Sequence, residues 1–222
     1  MQPIIVQAAV ALVASAGVLS PDSAADAAVP LGGGAGITVN GTYCTLATIG
    51  HDNTGELVGI TAAHCGDTGS QVAAEGSGTP VGSVAASDHP LDYAVIKLDP
   101  TKVIPLAAFN GFPINGIGPD PSLNQPACIQ GAATGQGCGS IKLQTLIPGD
   151  VGASVPAWRP GDDGAPVTVD GQLVGVTRKG VTMADAIVPR IFTHIEFTLI
   201  SAILNDVNAK GGPGAGFSPI PA

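Results

Sequence analysis

The sequence predicts an all-β protein that is built from many short strands. Its 222 residues include 32 glycines and 19 prolines, so turn-forming residues punctuate the whole chain. Only 11% of the residues are charged, and the chain lacks the long Glu- and Lys-rich amphipathic stretches that are typical of helical proteins. With 45% hydrophobic residues it can still bury a substantial core.

Residues 1–28 are expected to form a signal peptide. An apolar run over residues 3–19 precedes Ala-Asp-Ala at 25–27, a small-x-small pattern that suits cleavage near Ala27 or Ala28. No Lys or Arg precedes the run, which leaves an uncleaved anchor or a misassigned start as alternatives, and a buried N-terminal helix is a third. The first interpretation predicts export to the medium or the cell envelope.

The first predicted domain is an antiparallel β-barrel over residues 29–104. Six β-rich runs fall between residues 36 and 99, and Gly, Asp or Asn turn residues separate them. A small antiparallel barrel needs this spacing, because every strand must return through a tight turn. The runs read GITVN, TYCTLATIG, ELVGITAA, SQVAAEG, PVGSVAA and DYAVIKL.

A Pro- and Gly-rich stretch over residues 105–126 is expected to connect the first domain to a second β-rich domain at 127–210. Within the second domain the pair Asp170-Gly171 stands between PVTV and QLVGVT. This pair is a strong signal for a two-residue hairpin turn. The second half is therefore also predicted to be antiparallel.

The end of the second domain is expected to be a helix. Five apolar residues share one face at helical spacing: Phe197, Ile200, Ile203, Leu204 and Val207. After them comes GGPGAGFSPIPA, residues 211–222, which we expect to be a flexible tail because it is rich in Gly and Pro.

The chain has four cysteines, Cys44, Cys65, Cys128 and Cys138. An even number in a chain that is expected to be exported favours two disulfides over free thiols. Four cysteines allow three connectivities. The two in each half are close in sequence, so Cys44–Cys65 with Cys128–Cys138 is the simplest pairing. Metal binding by these cysteines is the weaker alternative, because no C-x-x-C pair occurs.

Charge makes nucleic acid an improbable partner. The formal net charge is −9, and the pair Arg178-Lys179 is the largest basic cluster. After the N-terminal run no segment is long and apolar enough to span a bilayer. We expect a monomer that needs no cofactor and has a peptide or protein as its ligand.

His64 and Asp92 are the first candidates for chemistry. GITAAHCGD places His64 after an apolar strand and beside a cysteine, where a rigidly held imidazole could accept a nucleophile's proton and return it to a leaving group. Asp92 opens the strand DYAVIKL and could orient that imidazole. Alternatively, His64 is a structural or exposed histidine and Asp92 a solvated residue at the start of a strand.

Four segments together resemble the chymotrypsin-like (trypsin-like) serine proteases, in particular the secreted bacterial streptogrisin and alpha-lytic branch. They are ITAAHC with the preceding TYC, HPLDYAVIKL, the cysteine hairpin ACIQGAATGQGCGSI, and PGDDGAP where the family has Pro-Gly-Asp-Ser-Gly-Gly. They occur in the family's order and cover roughly residues 36–200. The resemblance implies two packed six-stranded antiparallel β-barrels with the site in the cleft between them.

The resemblance also implies roles for single residues. His64 corresponds to the general base, Asp92 to its orienting carboxylate, and Asp163 stands at the position of the nucleophilic serine. The backbone N–H groups of Gly161 and Asp163 would form the oxyanion hole, and Asp162 would be a buried carboxylate that holds the loop in shape. The substrate cleft would be lined by Thr177, Arg178, Lys179 and Gly180.

Asp163 is a poor substitute for the serine. Its attack on a peptide would give a mixed anhydride, which is far more reactive than the amide, so the intermediate would collapse backwards. Its negative charge would also oppose the oxyanion that the neighbouring donors should stabilise. Removal of the nucleophile of such a triad costs on the order of 10⁶ in turnover. Ala157 replaces a family cysteine, and Arg178 with Lys179 would crowd or recharge the cleft unless they form an exposed basic hairpin.

Three functional hypotheses follow. The first is a secreted protease homologue that is inactive as a peptidase and binds a ligand or partner. The second is a hydrolase that acts on a substrate more reactive than a peptide, with Asp163 or a water activated by it. The third is a metal site at His64, Asp92 and Asp163, which is disfavoured because in the family the aspartate lies behind the imidazole. Two carboxylates beside His64 predict a raised pKa for its imidazole.

Overall fold

The structure, a computed structural model, describes residues 27–144, 150–184 and 191–221. The expected signal peptide therefore lies outside the described residues except for Ala27 and Ala28. Within the described ranges no helix is long and apolar enough to cross a membrane. The same ranges contain eighteen β-strands and one α-helix, α1 (Ile200–Lys210).

The strands of the first half, together with the last described strand, make one eight-stranded sheet and two separate two-stranded sheets. Their bounds are β1 (Val29–Leu31), β2 (Gly36–Val39), β3 (Thr42–Thr45), β4 (Thr48–His51), β5 (Leu57–Thr61), β6 (Gln71–Ala74), β7 (Pro80–Asp88), β8 (Tyr93–Leu98), β9 (Val103–Pro105), β10 (Ala108–Phe109), β11 (Phe112–Pro113) and β18 (Ser218–Pro219). The sheet has the order β18-β4-β5-β8-β7-β6-β2-β3 and is antiparallel throughout, β1 pairs in parallel with β9, and β10 pairs with β11.

The second half forms a closed antiparallel barrel. Its strands are β12 (Pro126–Gly131), β13 (Gly135–Gln144), β14 (Asp150–Val155), β15 (Pro166–Val169), β16 (Gln172–Ala184) and β17 (Ile191–Leu199). They close in the order β12-β13-β14-β17-β16-β15. The predicted turn at Asp170-Gly171 joins β15 to β16, with φ of +50° and +74° at the two residues. Such left-handed values favour this residue pair.

The predicted all-β fold of two barrel-like units with a closing helix is confirmed. The first unit has eight strands in its sheet instead of six, for two reasons. The run TYCTLATIG divides into β3 and β4, because the N–H groups of Leu46 and Ala47 turn to Ala35 and Ile60 of other segments. The second reason is β18, which the C-terminal segment adds next to β4.

Apolar side chains fill each unit and the space between the two. Ile37 and Ile96 lie in the core of the first unit, and Ile129 and Phe197 in that of the closed barrel. A third cluster joins the units and contains Ile60, Tyr93 and Val95 from the first with Leu173, Val176 and Ile200 from the second. Each fully buried side chain of this size contributes about 1.5–3 kcal/mol. The shared cluster therefore fixes how the two halves meet.

Helix α1 is shorter than the apolar pattern predicted. Ile200, Ile203 and Val207 are buried as expected. Phe197 lies instead in β17 and fills the barrel core, where strand pairing has replaced the helical pattern. The helix ends at Gly211, whose N–H bonds the carbonyl of Val207 and whose φ is +67°.

Residues 211–221 differ from the flexible tail that their composition predicted. Ser218 and Pro219 pair with His51 and Gly50 of β4. Phe217 is buried at 9% exposure and packs in the cluster that joins the two units. The segment therefore packs on the first unit, and its glycines supply the turns that this path needs: Gly211, Gly212, Gly214 and Gly216 all have positive φ.

Candidate functional site

His64 lies in a short 3-10 turn, Ala63–Cys65, immediately after β5 and Ala62. Cys65 is joined to Cys44 of β3 by a disulfide. The other disulfide, Cys128–Cys138, links directly opposed residues of β12 and β13. The predicted cysteine pairing is thus confirmed, and two disulfides are consistent with export.

Asp92 binds both the backbone and the ring of His64. Its carboxylate accepts the His64 N–H at 2.9 Å and lies 2.8 Å from ring atom Nδ1. Burial raises the pKa of the Asp92 carboxyl, but the hydrogen bonds from His64 and the charge of Arg178 outweigh it, so the net pKa is lowered. Asp92 is therefore a charged, buried partner that fixes the ring orientation.

Asp163 lies on the opposite side of the same ring. Its Oδ1 is 3.6 Å from Nε2 of His64, so the imidazole stands between two carboxylates as the sequence predicted. The carboxylates of Asp163 and Asp92 raise the pKa of His64 to about 10, against a smaller lowering by burial. At neutral pH the ring is an imidazolium ion. The site therefore holds the His64 cation between the carboxylates of Asp92 and Asp163.

The loop that carries Asp163 is held from both units. In β3 the N–H of Thr45 donates to the carbonyl of Asp163, and its hydroxyl donates to the carbonyl of Gly161 at 2.7 Å. Gly164 has φ +82°, and a Cβ there would come within 2.2 Å of the Thr61 hydroxyl oxygen. Only glycine fits so close to β5 in this conformation.

Asp162 has the geometry of the predicted loop-structuring residue. Its carboxylate is completely buried and accepts four hydrogen bonds, from the N–H groups of Ala133, Thr134 and Arg159 and from the Thr134 hydroxyl. Gly131 makes room for it, because a Cβ at that position would lie 2.0 Å from Oδ1 of Asp162. Asp162 therefore ties the loop to the β12–β13 turn of the second unit, in addition to the bonds from Thr45 of the first unit.

The N–H groups predicted for the oxyanion hole are those of Gly161 and Asp163. In the described part of the chain neither Gly161 nor Asp163 donates its N–H to a protein acceptor. Gly161 has φ +106°, which is rare for other residues, and a Cβ there would come within 2.6 Å of the Tyr43 ring. Their use as an oxyanion hole stays a prediction that this geometry permits.

The structure places the residues predicted to line the cleft in different environments. Arg178 does line it, with its Nε 3.6 Å from Oδ2 of Asp92. Thr177 does not, since it is fully buried: its hydroxyl donates to the carbonyl of Asp162 and accepts the N–H of Ala165. Its role is to hold the loop. Lys179 and Gly180 pair through β16 with β17, and their exposure lies outside what the structure describes.

Trp158 lies at the site although no sequence motif indicated it. It lines an open cavity of about 360 Å³ together with His64, Asp92, Asp163 and Arg178. Its indole nitrogen is buried without a hydrogen-bond partner in the described residues. The one available signal was that the only tryptophan of the chain stands five residues before Asp163.

The geometry argues against a metal site at the triad. Asp92 contacts Nδ1 of the His64 ring and Asp163 faces Nε2, so the three side chains do not converge on one point. Among the described residues no group of three or more His, Cys, Asp and Glu is arranged to hold a metal ion.

No family model and no curated protein matches the sequence. Solved structures of bacterial proteases do match. Thermobifida fusca Protease A is 23% identical with a TM-score of 0.68, and the match covers 87% of this chain and all of that one. Cellulomonas bogoriensis chymotrypsin is 25% identical with a TM-score of 0.63 and the same coverage. For Nocardiopsis protease the values are 20% and 0.63, over 81% of this chain and 97% of that one.

Proposed function

On the premise that this chain has the chymotrypsin-like fold of the bacterial serine proteases, we propose that it is an exported protein of that fold that does not cleave peptides. The observation that carries the proposal is the position of Asp163. Its carboxylate faces Nε2 of His64 at 3.6 Å, where a nucleophilic hydroxyl would have to stand. The site keeps the base and its orienting partner but has a carboxylate as its third member.

The chemistry of a carboxylate nucleophile disfavours peptide cleavage. A carboxylate that attacks a peptide carbonyl forms an anhydride, which lies far above the amide in free energy. Charge adds to this cost, because the fixed anion stands in the loop whose free N–H groups would have to stabilise a developing oxyanion. Acyl transfer from a peptide is therefore unfavourable in its first step.

The protonation state of His64 also disfavours peptide cleavage. General-base catalysis needs a neutral imidazole. Here the pKa of His64 is well above neutral pH because of the two flanking carboxylates, so the ring already holds the proton that it would have to accept. In an active triad this charged state arises only during the reaction, when the nucleophile has given up its proton.

The proposed role is binding in the cleft between the units. The cavity of about 360 Å³ has room for a small ligand or for one side chain of a peptide. Its lining combines the indole of Trp158 with the charged groups of Arg178, His64 and Asp163. A peptide or protein that presents both apolar and polar groups is the partner that this lining favours.

The experiment compares the exported chain with Asp163→Ser and His64→Ala variants on a peptide library and on an activated ester. We expect no peptide cleavage by the native chain. Cleavage that appears in Asp163→Ser and is lost in Asp163→Ser/His64→Ala would identify a site in which only the nucleophile is missing.

Asp67→Ser is the matched control, because Asp67 lies 2.7 Å from Nε2 of His89 in an exposed pair outside the cleft. It should remain as inactive as the native chain. Peptide turnover by the native chain that His64→Ala abolishes would overturn the proposal.

A further inference from the structure

The carboxylate of Asp163 suits an electrophile other than a carbonyl. Attack on an acyl carbon gives an unstable anhydride, but attack on a saturated carbon that carries a strained leaving oxygen gives an ordinary ester. Carboxylates are established nucleophiles of this kind in enzymes that form covalent alkyl or glycosyl esters. The group that makes the site unfit for peptides is thus suited to alkylation.

We propose that the cleft hydrolyses epoxides to diols, with Asp163 as the nucleophile and His64 as acid and then base. The inference goes beyond the missing peptidase activity and does not depend on it. An epoxide carries its electrophilic carbon and its leaving oxygen in one strained ring, so water is the only other reactant.

In the first step an Oδ atom of Asp163 forms a bond to a ring carbon of the epoxide. The carbon–oxygen bond of the ring breaks, and its electron pair goes to the ring oxygen. That oxygen takes the proton from Nε2 of the His64 imidazolium. The products are a neutral hydroxyalkyl ester of Asp163 and a neutral imidazole.

In the second step water gives a proton to Nε2 of His64, and the hydroxide attacks Cγ of Asp163. The tetrahedral intermediate expels the diol oxygen, which takes the proton back from His64. Asp163 is left as a carboxylic acid and passes its proton to the imidazole. The starting ion pair is restored, and one epoxide and one water have become one diol.

The arrangement of charges fits this order of events. In the resting site the Asp163 carboxylate, with Nε2 at 3.6 Å, stabilises the imidazolium that must protonate the leaving oxygen. Formation of the ester removes the charge of Asp163, so one of the two carboxylates that raise the pKa of His64 is lost. The neutral imidazole is then a better base for water, with Asp92 still bound to Nδ1.

The rest of the cleft serves the same chemistry. The N–H groups of Gly161 and Asp163, which have no acceptor in the described ranges, are available to the oxyanion of the tetrahedral intermediate that forms when hydroxide attacks the ester. The cavity has the size of a small-molecule site, and Trp158 gives it an aromatic wall. A small epoxide with an apolar substituent is the substrate class that fits.

The test incubates the intact exported chain with styrene oxide and measures diol by chromatography and protein mass by mass spectrometry. The native chain should form diol, and one turnover in heavy-oxygen water should put the heavy oxygen into the carboxylate of Asp163. His64→Gln should slow diol formation by about 10²–10⁴-fold, because water loses its base. Ester formation on Asp163 should slow in this variant as well, because His64 also supplies the proton for the leaving oxygen.

Asp163→Asn must lose both the ester and the diol, and Asp67→Asn, which alters the exposed Asp67–His89 pair, must lose neither. Because the site of labelling is read in the native chain, the result does not rest on the folding of any variant. Diol formation without heavy oxygen at Asp163, or no diol and no ester in the native chain and in His64→Gln, overturns the proposal. The peptidase assay is separate, so either proposal can fail alone.

Discussion

His64 is the residue at which the electrostatics of the site can be measured directly. The charged groups that face it or its partner are Asp92, Asp163 and Arg178. We expect its NMR titration to give a pKa of about 10, since both carboxylates favour the imidazolium. Asp163→Asn should lower this value by about 1 unit or more, and the distant Asp67→Asn should leave it unchanged. A value at or below about 6.5 would contradict the arrangement.

The raised pKa of His64 makes the free energy of unfolding depend on pH. The pKa of His64 is higher in the folded chain than its ordinary value of 6.5. The stabilisation that protonated His64 gives to the folded state is therefore fully present below about pH 6.5, and it is lost as the pH rises towards about 10. The side chain is 42% exposed, so water screens the interaction and the effect is small.

Asp162 should be the most costly residue of the loop to replace. Asp162→Ala would remove a fully buried carboxylate and leave the N–H groups of Ala133, Thr134 and Arg159 without their acceptor. We expect a loss of about 3 kcal/mol or more in the free energy of unfolding, measured by urea titration. Asp67→Ala, at an exposed position, should change it by less than about 0.5 kcal/mol. Equal losses in the two variants would show that the buried network does not stabilise the loop.

At the scale of single residues, the sequence predicted which side chains come together at the site, but not whether each one is buried or faces the cleft. His64, Asp92 and Asp163 stand in motifs of recognisable order, and the structure brings their side chains together. Asp162 binds the β12–β13 turn instead. Thr177 looked like a cleft residue because the motif gives strand position and not burial. Trp158 belongs to no motif, and its place beside the cavity follows only from the folded loop.

At the scale of elements, the C-terminal segment is the main difference from the sequence-based expectation. Gly and Pro are local signals for turns and disorder, and residues 211–221 are rich in both. Pairing with β4 depends on a strand about 170 residues earlier, which no local pattern encodes. The same limit explains Phe197, where helical spacing was present but tertiary pairing in β17 prevailed.

Phe217 tests whether the segment contributes to stability. Phe217→Ala would remove a buried ring from the cluster that joins the units, and we expect a loss of about 3 kcal/mol in the free energy of unfolding. The exposed Pro221→Ala in the same segment should have little effect. Thermal and urea denaturation can compare the two variants. If Phe217→Ala had the same free energy of unfolding as Pro221→Ala, the segment would not contribute to stability through this ring.

At the scale of the whole molecule, the site exists only because two units meet. The first unit supplies His64 and Asp92, and the second supplies Asp163, Arg178 and Trp158. Thr45 ties them directly beneath the site through its bonds to the Asp163 and Gly161 carbonyls. The division into two β-rich halves could be predicted from turn spacing. Their mutual placement came from the resemblance, since composition carries no information on how barrels pack.

The pairing of β18 with β4 also bears on the order in which the chain folds. During synthesis the residues of β18 are added about 170 residues after those of β4. The first sheet therefore reaches its final form only after β18 has been synthesised. All strands of the second unit precede β18 in the chain, so they too have been synthesised by the time the first sheet is complete.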